Sequence, residues 1–548
     1  MLNNMRYNKS GGIKFMRKTM EKMKEKKGIT LIALVVTIAV ILILAGITVG
    51  MVTSDNGVLK ETKNAKTLAE IDNEKSIVER AKMLTMMRSK NGSITYEVFE
   101  PALKEEAGKM PTEVSDAVGT IEVLFTDSNR YYEIDEDGNV SEPQEVVKEK
   151  YAGDITKGGK CDGSVEKPYE INCIEDLVVL SIMTNGGNTE LNISKNTMSG
   201  KNIILMRTLN FNSKFSYNDS TTTKFGDLNQ DGIVEDIRTE LTKTEENCVG
   251  FTPIGEYAEN QENRFCGVFD GRNNEIKNIY IKTAKDAGCF GGVWNATIKN
   301  LTVSGSITST EKSAGGVVGN GVAYIYNCHN KANIQGKRFT GGIGGRVWNT
   351  VTVTLIVDCS NMGNVYSNNY AAGIVGDSSG KVINCYNTGR VNGNRDTGGI
   401  ICESQMPVTV INCYNSGEIQ SLNSRAAGIT AFVYAEATVN NCYNIGKIIG
   451  NTTNGLGGTT INNSYNFGKM TIKSGGNTIG AKTMNSCYYK SSQKANNETT
   501  EDGAIDVEGK TAEQIVELLN SYKDDTSAYP TDWKPWKVGK DGNPTFSD

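Results

Sequence analysis

The sequence predicts a mainly β protein: a parallel β-helix, or β-solenoid, following an N-terminal transmembrane helix and a small α/β unit. Three observations predict it. The phrase Asn-Cys-Tyr-Asn-x-Gly recurs at Asn384, Asn412 and Asn441, a small-residue run precedes each copy, and 24 uncharged residues stand near the N-terminus. Looser copies of the phrase align on Leu301, Cys328, Cys359, Cys385, Cys413, Cys442, Ser464 and Cys487, with steps of 22 to 31 residues. Short β-rich repeats of this length cannot bury an apolar face alone, so they must stack on their neighbours.

Residues 1–28 form a basic leader with nine Lys or Arg, and Ile29 to Val52 carries no charge. A helix of that length crosses a bilayer core of about 30 Å, and it is too long for a secretory signal. The positive flank places the leader in the cytoplasm and the remaining chain outside the membrane. Residues 53–92 read as an extended amphipathic helix, with Ile71, Ile77, Val78, Ala81 and Leu84 on its apolar face. The segments TIEVLF, YYEID and EDGNV predict a hairpin within a small α/β unit at 93–145, and SEPQEVVKEK follows as a linker. Residues 146–250 lead into the solenoid and 251–490 hold the repeats. In 491–548, an amphipathic helix after Lys510 and a turn at Asp541 to Pro544 predict a cap, with Trp533 and Trp536 sealing the last coil.

Within a repeat, runs such as AGGVVG at Ala314, AGIVG at Ala372 and AGITA at Ala427 mark tight corners between short Ile/Val strands. Paired glycines suit positive φ, or backbones too close for a Cβ. Stacked coils lie about 4.8 Å apart, so Asn384, Asn412, Asn441 and Asn463 should form a hydrogen-bonded amide column. The Cys row, with Ser464 substituting by volume, reads as buried small apolar packing rather than a redox or metal device. Disulfides between neighbours are disfavoured because in-register side chains point the same way.

These repeats, with the lead-in FTPIGEYAENQENRFCGVFDGRNNEIKNIYI and the upstream GSVEKPYEINCIEDLVVLS, resemble the GLUG-motif repeats of bacterial surface proteins over roughly Phe251 to Lys490. The resemblance implies a right-handed solenoid at the cell surface and implies no reaction. The junction KKGITLIAL is similar to a type IV prepilin leader, which implies cleavage between Gly28 and Ile29, a pilin-like α/β unit and pilus subunits as partners. That family carries Glu at the fifth mature position, where this chain has Ala33. A plain membrane anchor is the alternative reading of the same span.

The chain has a net charge of −5, yet residues 276–490 hold 18 Lys or Arg against eight Asp or Glu, a net of +10. A basic rod outside a cell attracts anionic glycans or cell-wall polymers; nothing points to nucleic acid. Arg390, Glu418 and Lys447 fall at equivalent repeat positions, so part of this charge is neutralised within the ladder. Asp227, Asn229, Asp231 and Gly232 follow the spacing of a calcium loop, with the Ile233 carbonyl and Glu235 or Asp236 as further ligands; Arg238 stands where that pattern expects a closing carboxylate.

A single His, His329, sits at the Tyr position of a repeat. This argues against zinc-protease and Ser-His-Asp chemistry, and no phosphate-binding loop or dinucleotide fingerprint appears. The prediction is therefore a non-catalytic surface solenoid for adhesion. The remaining enzyme alternative is a β-helix polysaccharide lyase or hydrolase. Its candidate acids Asp377, Glu403 and Glu436 lie at unequal offsets from the Cys, which predicts poor alignment.

Overall fold

The computed structural model describes residues 58–89, 93–117, 120–135, 138–145, 161–189, 193–211, 250–257, 262–350, 354–494, 498–501, 503–522, 531 and 534–547. The span expected to cross the membrane, the expected Gly28–Ile29 cleavage junction, the expected calcium loop from Asp227 to Asp236 and Trp533 lie outside the described residues. Among the described residues no helix is long and apolar enough to cross a membrane.

The chain divides into two compact units, Met1–Val114 with Val123–Gln144, and Ser115–Glu122 with Glu145–Asp548. In the smaller unit α1 (Val58–Arg88) and α2 (Tyr96–Ala107) accompany a four-stranded sheet of β1 (Thr112–Ala117), β2 (Thr120–Phe125), β3 (Arg130–Asp135) and β4 (Gln144–Glu145) in that order. The run expected to be a linker, from Ser141, thus includes a short strand at Gln144–Glu145. Ile77, Val78 and Ala81 of α1 are buried, as the apolar periodicity requires. Glu74 is buried too, and Arg130 holds it through Nε at 2.9 Å and Nη2 at 2.8 Å while Tyr132 donates its hydroxyl at 2.9 Å. A buried carboxylate needs such a set of donors.

The larger unit is the solenoid. Its first coil arrives before the repeats: β5 (Tyr169–Ile171) pairs with Asn202–Leu205, which pairs with Val268–Thr283, all parallel. α3 (Ile174–Thr184) lies between those strands and buries Ile174, Leu177, Val178, Val179, Leu180 and Met183 in the same core as the coils. The Asp176 carboxylate accepts from the Asn172 and Cys173 N–H groups at 2.7 and 3.3 Å, satisfying donors at the helix start.

Beyond α3 every coil pairs in parallel with the next, position on position. Tyr386, Tyr414, Tyr443, Tyr465 and Tyr488 are successive register partners, and so are Val365, Val391, Ile419, Ile448 and Met470. Four columns make up the NCYN phrase. Its first Asn has a left-handed backbone, with φ of 53° at Asn384, Asn412 and Asn441 and 43° at Asn463. Asn tolerates that region better than other non-glycine residues. The amides of these four lie 2.8, 2.9 and 2.9 Å apart up the column.

The Cys column does more than fill space. Each backbone N–H donates to the sulfur one coil on: Cys328 N to Cys359 Sγ at 3.4 Å, Cys359 to Cys385 at 3.4 Å and Cys385 to Cys413 at 3.3 Å. Ser464 takes the same place, its Oγ accepting from Cys442 N at 3.0 Å. Each thiol also donates to the carbonyl two residues back, as Cys385 does to Ile383 at 3.2 Å. The cysteines of this column are free thiols. Full burial pushes the thiols of Cys328, Cys385 and Cys442 well above their ordinary value, so they stay protonated.

The second Asn forms a continuous inner ladder that the sequence reading did not single out. Asn330, Asn361, Asn387, Asn415 and Asn444 each donate to the next amide oxygen at 2.7 to 3.0 Å, the column ending at Asn466. The second proton goes to the carbonyl two residues on, as from Asn387 to Gly389 at 2.8 Å. The glycine corners are explained by this ladder. A Cβ at Gly373 would collide with the Gly399 carbonyl and the Asn387 side chain, and one at Gly417 would collide with the Gly389 carbonyl. Close approach, rather than positive φ, is what Gly373 and Gly417 provide; within the NCYN phrase the positive φ falls on the first Asn.

The C-terminal segment departs from the expected end cap. α4 (Ala512–Asn520) and the antiparallel pair Trp536–Val538 with Pro544–Phe546 run along the flank of the coils, over the Tyr column. Trp536 is buried against Tyr414 and Tyr443, with ring centroids at 6.0 and 5.2 Å. Asn412 Nδ2 donates to the Lys534 carbonyl at 2.9 Å, and Asn463 Nδ2 to the Leu518 and Leu519 carbonyls at 3.2 Å. The stacked tyrosines form an apolar stripe outside the coil, and the segment removes that stripe from water.

Gly417→Ala should destabilise the solenoid by about 1–3 kcal/mol, the usual cost of overpacking, whereas Gly475→Ala, where a Cβ meets open space, should stay within about 0.5 kcal/mol; paired urea titrations check both. Trp536→Ala should cost the flank segment about 3–5 kcal/mol and make residues after Asp506 the first site of limited proteolysis.

Candidate functional site

On the described solenoid, charged and aromatic side chains converge along a groove. It lies beside the strands Phe339–Gly341 and Gly344–Val347, continued one coil on by Tyr370–Ala372 and Val375–Ser378, and then by Thr397–Gly398 and Ile401–Ser404. The glycine corners turn the chain sharply between each pair. Residues before and after the corner therefore flank one groove parallel to the stack. A cavity of about 370 Å³ is lined by Arg338, Phe339, Arg346, Asn369, Tyr370, Arg395 and Gln405. A second, of about 210 Å³, continues past Arg338 to Lys312, Asp286 and Tyr257.

Two columns border this groove. In one, Asn320, Arg346, Asp377, Glu403 and Phe432 are successive register partners. Asp377 and Glu403 therefore stand directly over one another, contrary to the poor alignment expected from their offsets. Loop lengths between corner and Cys vary from coil to coil, so the Cys was the wrong reference for these positions. Glu436 is exposed in a separate loop and does not join them. Arg346 Nε donates to Asp377 Oδ2 at 2.9 Å, and its guanidinium lies over the Trp348 ring at 4.2 Å and the Phe339 ring at 5.4 Å.

In the other column Phe339 and Tyr370 stack, with centroids 5.1 Å apart and planes 17° from parallel. Arg395 Nη1 donates to the Tyr370 hydroxyl at 3.1 Å. Asp396 is buried beside it and held bidentately by Arg425, whose Nε and Nη2 lie at 3.0 and 2.9 Å. That guanidinium is fixed in turn by the Phe432 ring at 3.6 Å.

Burial pushes the carboxyls of Asp286, Asp377 and Glu403 above their ordinary range. For Glu403 the neighbouring Asp377 charge adds to the shift, and its Oε2 is buried without a hydrogen-bond partner. Asp377 is 1 % and Glu403 3 % exposed, so both acids lie beneath the groove floor. His329 occupies the Tyr position of its coil, between Thr302 and Ser360 of the neighbouring coils. Its Nδ1 lies 2.8 Å from Ser360 Oγ and its Nε2 lies 3.2 Å from Asn327 Oδ1, and burial lowers its pKa so that it stays neutral. Glu418 sits between Arg390 at 3.1 Å and Lys447 at 3.9 Å on an exposed face. No group of three His, Cys, Asp or Glu among the described residues is placed to hold a metal ion. The groove cations carried no motif, and only their placement before each glycine corner could have singled them out.

No family model matches the chain, and no curated protein matches it. Among solved structures, the chain matches a crystal structure from Bacteroides ovatus described as a "putative immunoglobulin A1 protease", with a TM-score of 0.36 and 16% identity over 72% of this chain and 96% of that one. A likeness at that level carries no argument about activity.

The folded protein holds its proton on Glu403 more tightly than the unfolded chain does, so this group's contribution to stability falls as pH rises through and above the ordinary glutamate range. Glu403→Gln should therefore raise the melting temperature at pH 7 and leave it nearly unchanged near pH 3, as thermal melts across that range would show.

Proposed function

We propose that this chain is a bacterial surface protein, anchored by its N-terminal apolar helix, that displays a non-catalytic β-solenoid for adhesion to an anionic glycan or cell-wall polymer. The observation that carries this reading is the excess of cations on the solenoid, with Lys312, Arg338 and Arg395 exposed and in no ion pair among the described residues. Repeat phrases similar to GLUG motifs and the basic leader before an uncharged span support the same placement. The prepilin-like junction supports a variant in which processing at Gly28 makes the chain a minor pilin tip subunit. A calcium ion held by the Asp227 loop would brace the insertion ahead of the repeats.

A polysaccharide hydrolase is the second reading, favoured by the register pairing of Asp377 and Glu403. Arg346 already occupies Asp377, and both acids are buried away from the groove surface. Acid–base chemistry requires groups within reach of substrate, so adhesion is the better account.

Mass spectrometry of the native N-terminus together with cell fractionation tests the placement. Protein at the membrane or in sheared filaments, with the solenoid open to protease on intact cells, is the expected result. Recovery of the chain solely in the cytosol would overturn it.

A further inference from the structure

We infer that the groove beside the glycine corners is a binding site for a linear acidic polysaccharide lying along the stack, with carboxylates received by Arg338 and Arg395. This rests on the adhesive reading and names its ligand class. Phe339 pairs with Tyr370, and the pairs Ser367 with Gly393 and Ala371 with Thr397 bracket the next step, so Arg338, Asn369 and Arg395 occupy equivalent points on three successive coils. Ala314 pairs with Thr340, which sets Lys312 level with Arg338 and adds a third cation one coil earlier.

Arg338 and Arg395 are therefore two coils apart, about 10 Å along the axis at the usual strand spacing. An extended polymer charged on alternate sugars presents anions at comparable intervals, with an uncharged sugar over Asn369 between them. Asn369 Nδ2 is engaged by the Lys337 carbonyl at 2.7 Å, which leaves its amide oxygen to accept a sugar hydroxyl.

The groove is built to hold guanidinium groups in place. The stacked Phe339 and Tyr370 rings brace Arg346 on one side and Arg395 on the other, and this fixes two planar forks at low entropic cost. Arg346 is neutralised by Asp377, whereas Arg338 and Arg395 face the groove with no carboxylate partner among the described residues. Planar forks of this kind match carboxylates two bonds at a time. The raised pKa of Glu403 removes a competing negative charge from the floor at moderately acidic pH.

The test uses the full chain in detergent and measures binding to polygalacturonate, to a sulfated glycan, to polyphosphate and to neutral dextran. Polygalacturonate should bind and dextran should not. Arg338→Gln with Arg395→Gln should weaken polygalacturonate binding about tenfold or more, the usual effect of losing charge-assisted hydrogen bonds. Lys469→Gln with Lys473→Gln removes equal charge elsewhere on the rod and should change it less than about twofold. Equal losses in both double variants would overturn the groove site and leave adhesion by overall charge intact. Preference for the sulfated glycan or polyphosphate would overturn the carboxylate assignment. If none of the anionic polymers binds, the adhesive reading fails with it.

Discussion

The inner column of asparagine amides, packed against a column of glycine backbones, is the contact on which the solenoid depends. Each amide donates once up the stack and once to its own coil, and it satisfies groups that a corner removes from the strand ladder. The amide fits only because the facing corner has no Cβ. The two residue types are therefore required together, and the repeat contains both. The Cys sulfurs act in the same way on the N–H groups at the adjacent position, which is why Ser464 can replace one without breaking the row.

In-register stacking has consequences outside the coil. A Tyr in each of five successive coils, Tyr386 to Tyr488, becomes a continuous apolar stripe, and the chain uses its own C-terminal segment to cover it. The backbone carbonyls of that segment accept from the outer Asn column, so the cover is keyed to the repeat by hydrogen bonds as well as by the Trp536 and Phe546 rings. At the start of the stack α3 packs on the first coil with apolar side chains that belong to the solenoid core.

The same stacking assembles the groove. Arginines and acids that are far apart in sequence meet because each coil places one residue at the same corner. Pairing then separates them by role: Arg346 and Arg425 hold buried carboxylates, while Arg338 and Arg395 remain open to solvent. Open cations above neutralised acids form a surface suited to anions and poorly suited to proton transfer.

By itself the sequence determined the stacking. The NCYN period and the glycine runs recur at every turn, and a parallel coil is the arrangement that buries their apolar rows, so the strands, the Cys row and the outer Asn column were legible. So was α1, whose apolar spacing is regular. Tertiary structure alone decided the rest, because it depends on distances that unequal loops hide. The alignment of Asp377 with Glu403 is counted from the glycine corner and is lost when counted from the Cys. The flank position of Trp536 depends on where the chain returns after its last coil, which no local pattern records. The Arg338 and Arg395 column likewise exists only once coils of different length are stacked, since register follows hydrogen bonding between strands and not residue number.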